Sequence, residues 1–73
     1  MFKIGDVLIA KPTSIDSYYS WNYTALLVVG VEFAKYSIVI LHSRPQSKLP
    51  SGYKTQFWKN FIDAKYATVE SHV

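Results

Sequence analysis

Two apolar runs separated by a short connection constrain this chain more than any other feature. They are TALLVVGVEF (residues 24–33) and YSIVIL (residues 36–41), with only Ala34-Lys35 between them. β-Branched and aromatic residues dominate both runs, which is typical of strands. Such a short connection predicts an antiparallel hairpin. Gly30 lies inside the first run, where it indicates a bulge or sharp bend.

Shorter patterns on either side of the hairpin complete a small, mainly β fold. Residues 7–10 (VLIA) predict a strand that Pro12 closes, and residues 66–70 (YATVE) alternate as a final strand does. Residues 42–55 predict a long loop. In residues 56–64, Trp58, Phe61 and Ile62 recur at helical spacing, which predicts a short helix with these side chains in the core and Thr55 as its N-cap.

These elements predict one architecture. It is a mainly β (α+β) domain with an antiparallel four- to five-stranded curved sheet or SH3/KOW-like half-barrel, and one short helix near the C-terminus. At 73 residues the chain is expected to form a single domain, residues 1–73, with residues 71–73 as a frayed tail.

The composition argues against several functional classes. There is no cysteine, which excludes disulfides and thiolate metal sites and favours a reducing cytoplasm. No run approaches the roughly 20 apolar residues of a membrane span, and MFKIGD lacks signal-peptide features. His42 and His72 are far apart in sequence, and Asp6, Asp16 and Asp63 are scattered. We therefore expect no metal, no cofactor and no enzymatic activity.

The positive charge is concentrated in the second half of the chain. Residues 34–62 contain five basic residues and no acidic one. This favours an acidic partner, either a nucleic-acid backbone or an acidic protein surface. Aromatic Phe57 and Trp58 lie between two of the lysines, an arrangement that suits either partner. The candidate contacts from this segment are Arg44, Lys48, Lys54 and Lys59.

The segment SIDSYYSWNYT (residues 14–24) contains four aromatic residues among small polar ones. This composition is typical of adaptable binding loops, although it also fits an alternating strand. We expect Trp21 and Tyr23 to help close the core. Tyr18 and Tyr19 are candidate partner contacts.

In its length and general character, and in its opening FKIGDVLIAKP, the chain resembles the small phage transcription regulators that bind bacterial RNA polymerase, of the kind found in a Xanthomonas phage. The resemblance implies docking on the β′ subunit of the host polymerase, inhibition of promoter recognition with sigma factor, and modified termination. It also implies contacts through a basic face and through the N-terminal segment, Met1, Phe2 and Lys3.

Two functional predictions follow. The first is a non-enzymatic phage-type regulator that acts in the cytoplasm of an infected bacterium, binding RNA polymerase as a monomer through a protein–protein interface. The alternative is a small basic β-barrel that binds DNA or RNA directly. Both predictions depend on the same basic segment.

Overall fold

A computed structural model describes residues 1–12 and 18–69, except for the side chain of Tyr18. This part of the chain contains seven elements. They are β1 (Val7–Ala10), α1 (Tyr18–Asn22), β2 (Tyr23–Val31), β3 (Lys35–Ser43), β4 (Lys54–Trp58), α2 (Lys59–Lys65) and β5 (Tyr66–Thr68). The predicted long loop spans residues 44–53 between β3 and β4.

The strands form a five-stranded sheet in the order β4-β3-β2-β1-β5. Each neighbouring pair is antiparallel. The predicted small antiparallel sheet with a short helix near the C-terminus is therefore confirmed. The sheet is open, with β4 at one edge and β5 at the other.

The predicted hairpin is the centre of the sheet. Leu26 pairs with Ile40 and Val28 with Ile38, and the register shifts between Val28 and Gly30. This shift confirms the irregularity expected at Gly30. A Cβ at Gly30 would lie 3.1 Å from the Ser37 Cβ on β3, so a larger residue would push the two strands apart.

One face of the sheet carries the core. Alternation along β2 and β3 directs their buried side chains to this face. α2 adds Ile62, and Phe2, Ala10, Leu49, Phe57 and Phe61 pack around the edge of the cluster. The fully buried hydrophobic residues are Leu8, Tyr23, Leu26, Val28, Tyr36, Ile38, Ile40, Ile62 and Tyr66.

The opposite face of the sheet is also apolar, yet it remains partly exposed. Val7 pairs with Leu27, and Leu27 with Val39, so their side chains share this face. Ile9 and Leu41 extend it, each with 43% of its surface exposed. We call these five residues the open face.

The helix predicted for residues 56–64 begins later than expected. Residues 54–58 form β4, because Phe57 pairs with Tyr36 and Thr55 with Ile38 in register on β3. Thr55 is therefore not a helix cap. Trp58 occupies that position and makes no side-chain capping hydrogen bond.

The apolar residues assigned to the core from their helical spacing, Trp58, Phe61 and Ile62, differ in burial. Ile62 is buried as predicted, and Phe61 is half-buried. For Trp58 the prediction is wrong: the side chain is 60% exposed, because alternation along β4 places it opposite to Phe57.

The prediction that Trp21 and Tyr23 help close the core is confirmed only for Tyr23. Tyr23, the first residue of β2, is buried. Trp21 lies in α1 and is 41% exposed, so it does not close the core as expected. Because α1 is a helix and not a strand, its side chains do not alternate between the two faces of the sheet.

Ile62→Ala and Trp58→Ala test these assignments together. Ile62→Ala should lower the free energy of unfolding by about 2–5 kcal/mol, because it leaves a cavity under α2. Trp58→Ala should cost only about 0.5–1 kcal/mol, chiefly through loss of its exposed contact with Lys35. Urea unfolding followed by far-UV circular dichroism measures both. Equal losses would show that the Trp58 ring is buried.

Candidate functional site

Five aromatic rings cluster where α1, β4 and α2 meet above the core. The Tyr19 ring centroid lies 5.4 Å from that of Phe57 and 6.0 Å from that of Phe61. Tyr23 and Tyr66 form the buried base, with centroid distances of 6.2 Å from Tyr23 to Phe57 and 6.3 Å from Tyr66 to Phe61. Tilted and edge-on contacts of this kind stabilise aromatic pairs beyond their buried area.

Tyr66 anchors α1 to the sheet from below. Its hydroxyl donates to the Tyr23 carbonyl oxygen and approaches the Tyr19 carbonyl oxygen at 3.3 Å. Burial raises the pKa of Tyr66, and the nearby Tyr23 hydroxyl raises it further. The neutral phenol is therefore the form that holds Tyr19 in place.

The rings leave an apolar concavity at the surface. Tyr19, which is 46% exposed, and Leu49 line two adjoining depressions of about 470 and 370 Å³. None of the residues that line them is acidic. We call this concavity the aromatic groove; its lining residues are Tyr19, Tyr23, Lys48, Leu49, Thr55, Gln56, Phe57, Trp58 and Phe61.

The loop between β3 and β4 forms one wall of the aromatic groove. The Leu49 amide donates to the Tyr23 hydroxyl at 3.2 Å. The Ser47 hydroxyl donates to the Asn22 side-chain oxygen at 3.2 Å, and the Arg44 amide donates to the Asn22 carbonyl at 2.9 Å. These bonds tie the loop to the end of α1, which positions Leu49 and exposed Lys48 beside the rings.

The Arg44 side chain makes its contacts with α1 of the same protein. Its guanidinium carbon lies 4.0 Å from the centre of the Trp21 ring, and its Nε donates to the Trp21 carbonyl at 2.7 Å. Stacking and hydrogen bonding together hold this side chain against α1.

A second cluster surrounds buried Tyr36. The Phe2 amide donates to the Tyr36 hydroxyl at 3.0 Å, and this hydroxyl donates to Asp63 Oδ1 at 2.8 Å. The Lys59 ammonium lies 5.6 Å from the Tyr36 ring centre. Burial is the main reason that the pKa of Tyr36 is raised. Because Tyr36 pairs with Phe57, this cluster adjoins the aromatic groove.

The structure brings together some of the predicted contacts. Tyr19 and Lys48 line the same depression, and Phe2 and Lys59 contact the same tyrosine. Arg44 is separate from these residues, because its side chain is stacked on Trp21. Lys54 pairs with Val39 across β3 and β4, so its side chain lies on the same side of the sheet as the open face.

The remaining predicted contacts are at the chain's beginning and at α1. Met1 is almost fully exposed. The Lys3 amide donates to Asp6 Oδ2 at 3.0 Å, which closes the turn before β1. Tyr18 is the first residue of α1, and its side chain lies outside the described residues.

Of the nine residues that line the groove, only Tyr19 and Lys48 are predicted contacts; Leu49, Phe57 and Trp58 are among the seven that are not. Leu49 follows Lys48 in a polar loop, and a lone apolar residue in such a loop is the sequence signal that its side chain makes a contact. The sequence places the Phe57 ring between lysines, and the helical spacing assigns Trp58 to the core. The period-2 pattern of Thr55 and Phe57 could have indicated that they belong to a strand.

The described part of the chain contains few other candidates for a catalytic or metal-binding site. His42 lies in β3, with its Nδ1 2.7 Å from Thr24 Oγ1. Within residues 1–12 and 18–69, no three metal-binding side chains cluster. No helix in those residues is long and apolar enough to span a membrane.

No protein-family model matches this chain, and comparisons with curated proteins and with solved structures found no significant match.

The raised pKa of Tyr66 predicts a loss of stability at alkaline pH. A tyrosine in the unfolded chain ionises near pH 10, whereas buried Tyr66 resists ionisation, so its contribution is complete below about pH 10 and is lost as pH rises further. Tyr36 acts in the same direction. The free energy of unfolding, measured with urea, should therefore stay constant up to about pH 10 and fall as the pH rises above that value.

Tyr66→Phe is the matched variant. It should cost about 1–3 kcal/mol near neutral pH, because it removes the hydroxyl that donates to the buried Tyr23 carbonyl. It should also lose less stability than the parent protein as pH rises. An identical alkaline loss in both proteins would contradict the assignment to Tyr66.

Proposed function

We propose that this protein is a non-enzymatic regulator that binds bacterial RNA polymerase through a protein–protein interface. In this proposal it acts in the cytoplasm of an infected host, docks on the β′ subunit and inhibits promoter-dependent initiation, with an effect on termination. The polymerase enters the proposal through the resemblance to small phage regulators. The kind of interface is argued from the surface of the molecule.

The aromatic groove is the observation that carries the proposal. Exposed clusters of large apolar side chains on a small domain are typical of interaction sites. Tyrosine, tryptophan and arginine are enriched among the residues that dominate protein interfaces. Tyr19 and Trp58 supply such rings around one concavity, and Lys48 adds a positive charge beside them.

The ring geometry favours a protein partner over a nucleic acid. Stacking of bases needs open ring faces. The Arg44 guanidinium covers one face of Trp21, and the Lys35 ammonium lies 4.5 Å from the centre of the Trp58 ring. The ring planes of Tyr19 and Phe57 are each steeply inclined to that of Phe61, at 80° and 77°. The partly exposed aliphatic open face also suits a protein better than phosphates.

Charge reversal at the groove tests the proposal with purified polymerase. Lys48→Glu should weaken binding to RNA polymerase from a Xanthomonas host by about tenfold, because it places a like charge against an acidic partner. Lys11→Glu makes the same charge change at the end of β1, away from the groove, and should bind as the parent does. Run-off transcription with and without sigma factor measures the regulatory effect. If the parent protein does not bind the polymerase, the proposal is wrong.

Salt dependence separates this proposal from direct nucleic-acid binding. Contact with about three or four phosphates would weaken affinity roughly 40- to 150-fold between about 50 and 200 mM salt. A protein interface with aromatic anchors should lose less than about tenfold. Titrations against polymerase, labelled duplex DNA and single-stranded RNA give the three slopes. Tight, steeply salt-dependent binding to a nucleic acid, without binding to polymerase, would favour the alternative.

A further inference from the structure

The outer edge of β4 runs along the aromatic groove. Four consecutive residues, 55–58, line it, although their side chains alternate between the two faces of the sheet. Because residues from both faces of β4 line this depression, the depression lies along the edge of β4. The walls facing β4 come from α1, the β3–β4 loop and α2, through Tyr19, Leu49 and Phe61.

The backbone of β4 is paired on one side only within the described residues. Two hydrogen bonds at the ends of the β3–β4 pairing show which residues of β4 bond to β3: Ile40 N to Tyr53 O and Lys59 N to Ala34 O, each 2.9 Å. In an antiparallel pair, alternate residues direct their backbone groups toward the partner strand. Thr55 and Phe57 therefore face β3, whereas the N–H and C=O groups of Lys54 and Gln56 and the N–H of Trp58 point outward.

We propose that this edge is a strand-addition site, at which an extended segment of the partner protein pairs with β4 as a sixth strand. The proposal rests on the proposed function, because it describes how the regulator would hold its protein partner. An exposed strand edge is a template for such pairing, and the main-chain hydrogen bonds supply affinity while alternate side chains supply specificity.

The surroundings of β4 define the chemistry of the added segment. On the groove side, its side chains would meet Leu49, Phe57 and Tyr19, which fit aliphatic or aromatic residues. On the other side they would meet Lys54, Gln56 and Trp58, with the Lys35 ammonium over the Trp58 ring. The segment that fits is one in which apolar and acidic residues alternate.

Charge also disfavours a second copy of this chain as the occupant. Two β4 strands paired antiparallel about Gln56 would place each Lys54 beside the other copy's Trp58, over which Lys35 lies. The Lys54 ammonium of each copy would then lie near the Lys35 ammonium of the other, and like charges repel. A lysine on an edge strand commonly prevents self-pairing, and the same charge attracts an acidic segment.

Gln56→Pro tests the site with little expected effect on the fold. Proline removes an N–H that points away from β3, so the β3–β4 bonds remain, and proline is tolerated on edge strands. The matched control is Gln56→Ala, which also loses the side-chain bond to Ser37 but keeps the amide. Thermal unfolding should show that both variants are folded.

The first probe is a capped synthetic peptide in which valine or phenylalanine alternates with glutamate. The peptide should bind the parent protein and Gln56→Ala. Its affinity for Gln56→Pro should be at least about tenfold lower than for Gln56→Ala, because the lost hydrogen bond and the steric block by the proline ring together exceed about 1.4 kcal/mol. In NMR spectra of the labelled protein, the Gln56 and Trp58 amides should exchange more slowly with the peptide bound. A peptide of the same composition with its apolar and acidic residues in separate blocks should bind more weakly.

Three results would overturn the strand-addition site: no peptide binding, equal peptide binding by Gln56→Pro and Gln56→Ala, or amide changes confined to the open face. A dimer that Gln56→Pro abolishes in sedimentation would identify a second copy as the occupant and contradict the proposed one.

Purified polymerase separates the two proposals. If Gln56→Pro binds polymerase as tightly as Gln56→Ala does, the regulator stands and the strand-addition site is wrong. If polymerase is not bound but the alternating peptide binds and requires the Gln56 amide, the site stands and the polymerase is not the partner.

Discussion

The pairing of β2 with β3 is the interaction on which the rest of this structure depends. Tyr23, Leu26 and Val28 from β2 and Tyr36, Ile38 and Ile40 from β3 account for six of the nine fully buried hydrophobic residues in the described part of the chain. β1 adds to this hairpin along β2 and β4 adds along β3, and β5 then adds along β1. Because so small a domain buries a limited fraction of its surface, loss of this pairing would leave too little apolar burial to offset the entropy of folding.

The apolar face of the hairpin needs more cover than the two short helices provide. The described helices span only five and seven residues, too few to cover a five-stranded sheet. Aromatic side chains complete the cover: the Tyr66 hydroxyl holds α1 in place through its contact with the Tyr19 carbonyl oxygen, and the Tyr19 ring then packs on Phe57 and Phe61. Rings at the margin of a small core are necessarily half-exposed. The aromatic groove is thus a consequence of how this fold closes, and the two proposals assign it a use.

Local signals in the sequence were sufficient for part of this description. The apolar hairpin, the irregularity at Gly30 and β1 are encoded in short continuous stretches, so periodicity identified them. β4 was missed because Trp58, Phe61 and Ile62 recur at helical spacing across a strand–helix junction, and their pattern does not mark where one element ends. Tyr19 and Lys48 were predicted as contacts and share the groove, whereas Leu49 reaches it only through a loop tied to α1. That placement depends on long-range hydrogen bonds, which the sequence does not reveal.

By itself, the sequence determined the fold class, the central hairpin and a basic second half with no acidic residue between positions 34 and 62. These properties follow from composition and from neighbours along the chain. Only the tertiary structure decided which aromatic residues are exposed, which basic side chains are held against rings, and which edge of the sheet adjoins a groove. Trp58 illustrates the difference, since its exposure follows from the register of Phe57 with Tyr36 across β3 and β4. Register is a relation between distant segments, and the energy that selects it belongs to their packing and not to either segment alone.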